Sequence, residues 1–306
     1  MLRTVLLAAA RNKRVEHLVA SAPVSRDVVG RFVAGTTAAD ARRVAADLVA
    51  AGLAVSLDHL GEDTTDAQSA AAARDAYTAL LAGLGAAGLT PAAEVSLKLS
   101  ALGQRFDERA ALDHARAICQ AAANAGTTVT LDMEDHATTD STLSVLAELR
   151  KDFPDTGVAV QAYLRRTEAD CRDLAVAGSR VRLCKGAYAE PESVAFQGAL
   201  DVDRSYVRCL NVLLAGDGYP MVATHDPRIV AIAEERAHWY ERDTHSFEFQ
   251  LLYGIRPDEQ LRLARDGYTV RVYLPYGDQW YAYLMRRLAE RPANVAFFLR
   301  ALSGTK

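Results

Sequence analysis

The sequence predicts a TIM-type (βα)8 barrel. Eight stretches of strand pattern alternate with helical stretches along the whole chain, with no linker or low-complexity break between them. Strict alternation makes the strands parallel, and eight parallel strands close on themselves rather than form an open sheet. A polar or charged residue also stands at or near the carboxyl end of every expected strand, the end at which such barrels carry their sites. Residues 1–306 are read as one barrel domain, with 1–52 as an N-terminal helical segment packed on it.

The elements follow in order. A helix over 37–52 ends at Gly52 and leads to a strand over 53–58. An alanine-rich helix over 66–87 leads to a strand at 94–99, and a helix over 107–125 to a strand at 128–133. Helices at 139–151 and 167–177 lead to strands at 158–163 and 180–185. Helices at 201–215, 227–240 and 257–266 precede strands at 221–224, 247–252 and 269–274, and helices at 278–290 and 292–302 finish the chain. The fifth strand is unusual: Arg180, Arg182 and Cys184 alternate with Val181, Leu183 and Lys185. Three cations on a barrel strand demand anionic partners or a ligand, because an unpaired buried charge is costly.

Bulk composition narrows the function classes. Half the residues are apolar, enough for a sizeable core, and a net charge of −4 with pI near 6.0 gives no footprint for nucleic acid. Cys119, Cys171, Cys184 and Cys209 are widely spaced and read as reduced thiols of a cytoplasmic protein. No apolar run approaches the roughly 18 residues of a membrane helix. The stretch Met1–Ala10 resembles a signal core, but basic residues from Arg11 to Arg14 follow at once, so it is read as an amphipathic helix.

Several motifs compete. Gly83, Gly85 and Gly88 match a dinucleotide fingerprint, but they close a helix rather than follow a strand, so they read as a helix end. Lys98 among apolar neighbours is a Schiff-base lysine, a cation for a carboxylate, or the ion-pair partner of Asp132 from the adjacent strand. Asp135, His136 and His225 lack any firm metal-ligand spacing, and no metal is expected. Tyr283, Arg286, Arg287 and Glu290 share one helix face just beyond the eighth strand. Two arginines there could clamp a carboxylate from a helix leaning over the barrel mouth, or pair with Glu290 on a solvated face.

Seven segments together resemble the proline dehydrogenase family: Val95–Ser100, Leu131–Asp135, Val160–Tyr163, Arg182–Tyr188, Ala223–His225, Phe247–Leu252 and Tyr283–Arg287. They occur in the family's order from about residue 53 to 300, with neither an aldehyde dehydrogenase nor a DNA-binding segment attached. The resemblance implies a distorted barrel that binds FAD and oxidises L-proline to 1-pyrroline-5-carboxylate. Hydride would pass from C5 to flavin N5, with electrons going on to a membrane quinone. It implies that Lys98, Arg286 and Arg287 hold the proline carboxylate, that Asp132 is the active-site aspartate paired with Lys98, and that Arg182 lies beside flavin N5. Met133, Gln161, Lys185, Gly186, Ala187, Thr224 and His225 match cofactor-contacting positions. Tyr188, Leu252, Tyr273 and Tyr283 match the walls around the proline ring, and Glu290 the partner of the arginine clamp. Tyr273 favours proline over hydroxyproline, and Ala189 stands where the family is often aromatic. A 1-pyrroline-5-carboxylate dehydrogenase is the implied partner, and the quinone implies peripheral contact with the inner face of the membrane. A Schiff-base lyase using Lys98 and a non-catalytic amino-acid-binding barrel are the competing expectations.

Overall fold

The computed structural model describes residues 29–281 and 283–285. Eight parallel strands pair in chain order and close where the first meets the last. They are β1 (Ala54–His59), β2 (Ala93–Leu97), β3 (Val129–Leu131), β4 (Gly157–Gln161), β5 (Arg180–Cys184), β6 (Tyr219–Ala223), β7 (Glu248–Leu252) and β8 (Thr269–Tyr276). The helices are α1 (Ala38–Ala50), α2 (Ala67–Ala86), α3 (Glu108–Asn124), α4 (Thr139–Arg150), α5 (Thr167–Leu174), α6 (Ala199–Ala215), α7 (Pro227–Trp239) and α8 (Pro257–Arg265).

Local chemistry sets the helix starts. Thr37 and Asp40 form a reciprocal capping box on α1, while Asp66 and Asp107 accept a backbone N–H at the starts of α2 and α3. Asp226 caps α7, with Pro227 in the first turn where its missing N–H costs nothing. Gly83 and Gly85 lie inside α2 and Gly88 follows it at φ +67°, so the glycine motif is a helix end, as expected. α1 packs against β1 and β8. Residues 1–28, with most of the expected N-terminal segment, lie outside the described residues, as do Arg286, Arg287 and Glu290.

Strand alternation sorts the core from the site. Val55, Leu57, Val95 and Leu97 are wholly buried and join the apolar faces of the surrounding helices. Val181, Leu183, Val222 and Phe249 do the same on the opposite half. The alternate residues project inward and are polar: Ser56 and Asp58 on β1, Glu94 and Ser96 on β2, Arg180 and Arg182 on β5, Glu248 and Gln250 on β7, Arg271 and Tyr273 on β8. Branched apolar side chains usually fill such a barrel. Here ion pairs do, and the cations of β5 find their partners across the interior.

Two strand ends differ from expectation in ways that matter. β2 stops at Leu97, so Lys98 opens a short 3-10 turn, Leu99–Leu102. β3 spans three residues because it pairs with β4 only at Thr130 and Leu131, and Asp132 therefore stands just past its end. The Asp132 amide still donates to Leu97 O at 2.8 Å, which holds the residue at the rim.

Candidate active site

At the carboxyl end of the barrel lies a cavity of about 690 Å³, within the range of roughly 300–1,000 Å³ that holds small-molecule ligands. All the expected site residues that are described line it. Lys98, Asp132, Arg182 and Tyr273 are on its charged side, and Met133, Gln161, Lys185, Gly186 and Ala187 are on the other. Tyr188, Thr224, His225, Leu252 and Tyr283 complete that set. Positions scattered over nearly 190 residues of sequence thus meet in one place.

The charged side is a connected network. Lys98 Nζ donates to both oxygens of Asp58, at 2.9 and 2.8 Å, and lies 3.6 Å from Asp132. The expected Lys98–Asp132 pair is present, but it is the looser of the two, and Asp58 is the lysine's close partner. Asp132 is otherwise engaged. Its Oδ1 accepts from Arg182 Nη1 at 2.7 Å and from Ser96 Oγ at 2.8 Å, and its Oδ2 accepts from the Tyr273 hydroxyl at 2.7 Å. Arg182, 3% exposed, also donates from Nη1 to Ser96 Oγ, from Nη2 to Ser56 Oγ and from Nε to Gln250 Oε1, with its guanidinium carbon 5.3 Å from the Tyr273 ring centre.

These contacts decide the charge states. Burial pushes the Lys98 ammonium towards neutrality, but the Asp58 and Asp132 carboxylates outweigh it and hold the pKa well above the ordinary lysine value. A Schiff-base lysine must lose its proton to attack a carbonyl, so this environment opposes the lyase reading. Burial likewise opposes ionisation of Asp132, but Lys98 and Arg182, with the Tyr273 hydrogen bond, keep its pKa below the usual aspartate value. Asp132 is therefore a fixed anion and a poor proton acceptor. Burial pushes the Tyr273 hydroxyl far above its usual pKa, and Asp132 adds to this, so it stays a donor.

The rest of the lining combines small residues, uncharged polar groups and a lysine paired with two aspartates. Gln161 donates to Glu134 O at 2.7 Å, which pins its amide at the end of β4. Gly186 sits at φ +110°, and a Cβ there would fall 2.2–2.6 Å from the Tyr163 ring, so only glycine fits. Lys185 Nζ binds Asp203 at 2.5 Å and Asp226 at 3.0 Å beside the N-terminus of α7. Thr224 Oγ1 accepts the Asp226 amide at 3.1 Å, and His225 Nε2 accepts the Leu252 amide at 2.9 Å. Asp135 and His136 are taken up by Arg105 and Glu190, and no three metal-binding side chains cluster among the described residues.

Comparison with known proteins places the chain in a family. The sequence pattern of the family described as Proline dehydrogenase matches residues 41–300. The chain belongs to the proline dehydrogenase family. Proline dehydrogenase 1 of Bacillus subtilis (strain 168) is 37% identical over 302 residues, covering 99% of each chain. Proline dehydrogenase of Deinococcus radiodurans is 39% identical over 307 residues, covering 98% of this chain and 97% of that one. Among solved structures, proline utilization A from Bdellovibrio bacteriovorus, inactivated by N-propargylglycine, superposes with a TM-score of 0.79 at 25% identity. That match covers 86% of this chain and 32% of the larger one.

Four residues given no role from the motifs join the network, Ser56, Asp58, Ser96 and Gln250, of which Asp58 and Gln250 are among the polar residues expected at the strand ends. Each carries a legible signal, a polar side chain on the inward alternation of its strand. What the sequence does not show is which cation each one meets across the barrel.

Proposed function

We propose that this protein is an FAD-dependent enzyme oxidising L-proline to 1-pyrroline-5-carboxylate, with a quinone as final electron acceptor. The observation that carries the reading is the cavity itself: a fixed Arg182–Asp132–Lys98–Asp58 network shares it with small residues, uncharged polar groups and a paired Lys185. The residues fit the cofactor. Gly186, Ala187 and Ala223 allow close approach of a flat ring, and the N-terminus of α7 beside Lys185 suits a phosphate. When bound, FAD supplies the hydride acceptor, taking hydride from proline C5 at flavin N5.

The chain's own residues do the rest. Lys98, with Arg286 and Arg287, holds the proline carboxylate, and Tyr188, Leu252, Tyr273 and Tyr283 enclose the ring, so reactants meet in a fixed orientation. Arg182 places a buried cation where negative charge accumulates on reduction. Asp132 keeps Arg182 and Tyr273 in place. With Asp132 held ionised and Lys98 held protonated, neither accepts the amine proton readily, so proline reacts as the amine after losing its proton to solvent. Met133, Gln161, Thr224 and His225 line the cofactor's side, and Glu290 pairs with the arginine clamp. Residues 1–306 act as one barrel domain, and a 1-pyrroline-5-carboxylate dehydrogenase is the partner for the product. No helix among the described residues is long and apolar enough to cross a membrane, and contact with the quinone is peripheral in this reading.

The test is spectroscopic. Purified protein should be yellow and should bleach when L-proline is added without oxygen. A colourless protein that takes up no FAD sinks the proposal. Borohydride trapping of a carbonyl substrate on Lys98 would favour the lyase, and proline binding without bleaching would favour the binding barrel.

A further inference from the structure

Directly beneath the cavity, Arg182 Nε donates to Gln250 Oε1 at 2.5 Å. The amide nitrogen of Gln250 donates in turn to Glu248 Oε1 and lies 3.2 Å from Met221 Sδ. Glu248 is wholly buried and does not line the cavity. Its two oxygens receive Arg271 Nε at 2.8 Å, Arg271 Nη2 at 3.1 Å and the Tyr219 hydroxyl at 3.2 Å. A carboxylate gripped by a guanidinium only accepts hydrogen bonds. The nitrogen of Gln250 must therefore face it, which leaves the carbonyl oxygen, and nothing else, for Arg182. A flipped amide would set two N–H groups against the guanidinium and two acceptors against each other.

The same arrangement has an electrostatic side. Among the described residues, Asp132 is the only carboxylate hydrogen-bonded to Arg182. A glutamate at 250 could hold Arg182 Nε equally well, but it would add a second anion against the cation. Glutamine gives the hydrogen bond without the charge, and the negative group sits one pleat lower, spent on Arg271.

We propose that Glu248 and Gln250 are a positioning pair for Arg182: Glu248 fixes the amide of Gln250, which aims the guanidinium while leaving its charge available to the cavity. Neither acts on substrate itself. The inference rests on the reading that Arg182 lies against the flavin, and it extends that reading to a buried glutamate outside the cavity.

The experiment measures the midpoint potential of FAD in the purified full-length holoprotein, by equilibration with a reference dye, together with thermal stability. Three proteins are compared with wild type: Gln250→Met, the exchange Glu248→Gln with Gln250→Glu, and Arg242→Met as a stability control away from the cavity, where Arg242 holds only backbone carbonyls. The exchange keeps the same side-chain types and an acceptor beside both guanidiniums, but raises the negative charge to Arg182. It should lower the potential by at least a tenfold change in the oxidised-to-reduced ratio, about 30 mV for a two-electron couple. Gln250→Met should lower it in the same direction by less, because the cation is less well held. Arg242→Met should lose stability with its potential unmoved. A purely structural role predicts stability losses in all three with the potential of Gln250→Met unchanged, and that outcome overturns the proposal whatever the added carboxylate of the exchange does. If wild type takes up no FAD, the functional reading fails first and this inference falls with it. FAD uptake with an unmoved potential removes this inference alone.

Discussion

The barrel interior contains two charged layers, glutamates with arginines below and aspartates with a lysine and an arginine above, and they differ in where their charges end. In the lower layer, Glu94 accepts Arg180 Nη2 at 2.7 Å and the Thr130 hydroxyl at 3.1 Å, with Arg271 at 3.6 Å. Arg271 also grips Glu248 and donates to the backbone carbonyls of Val55 and Ala92. These charges are spent on one another and on the chain. In the upper layer, Asp58, Lys98, Asp132 and Arg182 are paired too, but all four line the cavity. A perturbed pKa does not tell the layers apart. Burial raises that of Glu94, yet Arg180, Arg271 and Arg182 hold it down at about 2, although Glu94 does not line the cavity. Height along the barrel axis, and with it access to the cavity, separates the layers here, while perturbed pKa values occur in both.

Three measurements would break or sharpen this contrast. The largest effect belongs to Arg271→Met in the lower layer, which strands Glu248 and weakens the hold on Glu94. Leaving a buried charge uncompensated should cost about 3–5 kcal/mol in denaturant unfolding. Turnover per folded, flavin-loaded molecule should fall by less than in Arg182→Met of the upper layer, because Arg271 reaches Arg182 only through Glu248 and Gln250, and a loss as large as that variant's would erase the contrast. Next comes Arg182→Met in the upper layer, where removing a preorganised cation should reduce kcat/KM for proline by about 100- to 1,000-fold. A loss below about tenfold would place Arg182 with the lower layer's residues instead.

The smallest effect is a pH dependence. Glu94 has a folded-state pKa depressed from 4.5 to about 2. Its contribution to stability is therefore complete above about pH 4.5 and is lost as pH falls towards about 2. Linkage sets its size at roughly 3 kcal/mol. The stability advantage of wild type over Glu94→Gln, followed by melting at successive pH values, should be constant near neutrality and shrink below pH 4.5. An advantage that persists unchanged to pH 3 would show that Glu94 is not held ionised by its arginines.

The fold was legible because outward residues such as Val181 and Leu183 and inward ones such as Arg180 and Arg182 obey a period of two. The site was legible in outline because polar residues cluster at the strand ends. Partner choice was not, since it depends on closure and register. Arg182 meets Ser56 from 126 residues away, a contact that exists only once β8 has closed on β1. Lys98 has an adjacent strand on each side, and the nearer of its two aspartates is reading-order blind: β1 places Asp58 opposite Ser96, while Arg182, Tyr273 and Ser96 already occupy Asp132. The arginine clamp expected at Arg286 and Arg287 lies outside the described residues.

The hydrogen bond from the Leu252 amide to His225 Nε2 has its own consequence. A ring nitrogen that accepts an N–H carries no proton, so the imidazole is the neutral tautomer with hydrogen on Nδ1. The same bond ties the turn after β6 to the last residue of β7, so a side chain of the cavity wall completes the hydrogen bonding of the sheet at its rim.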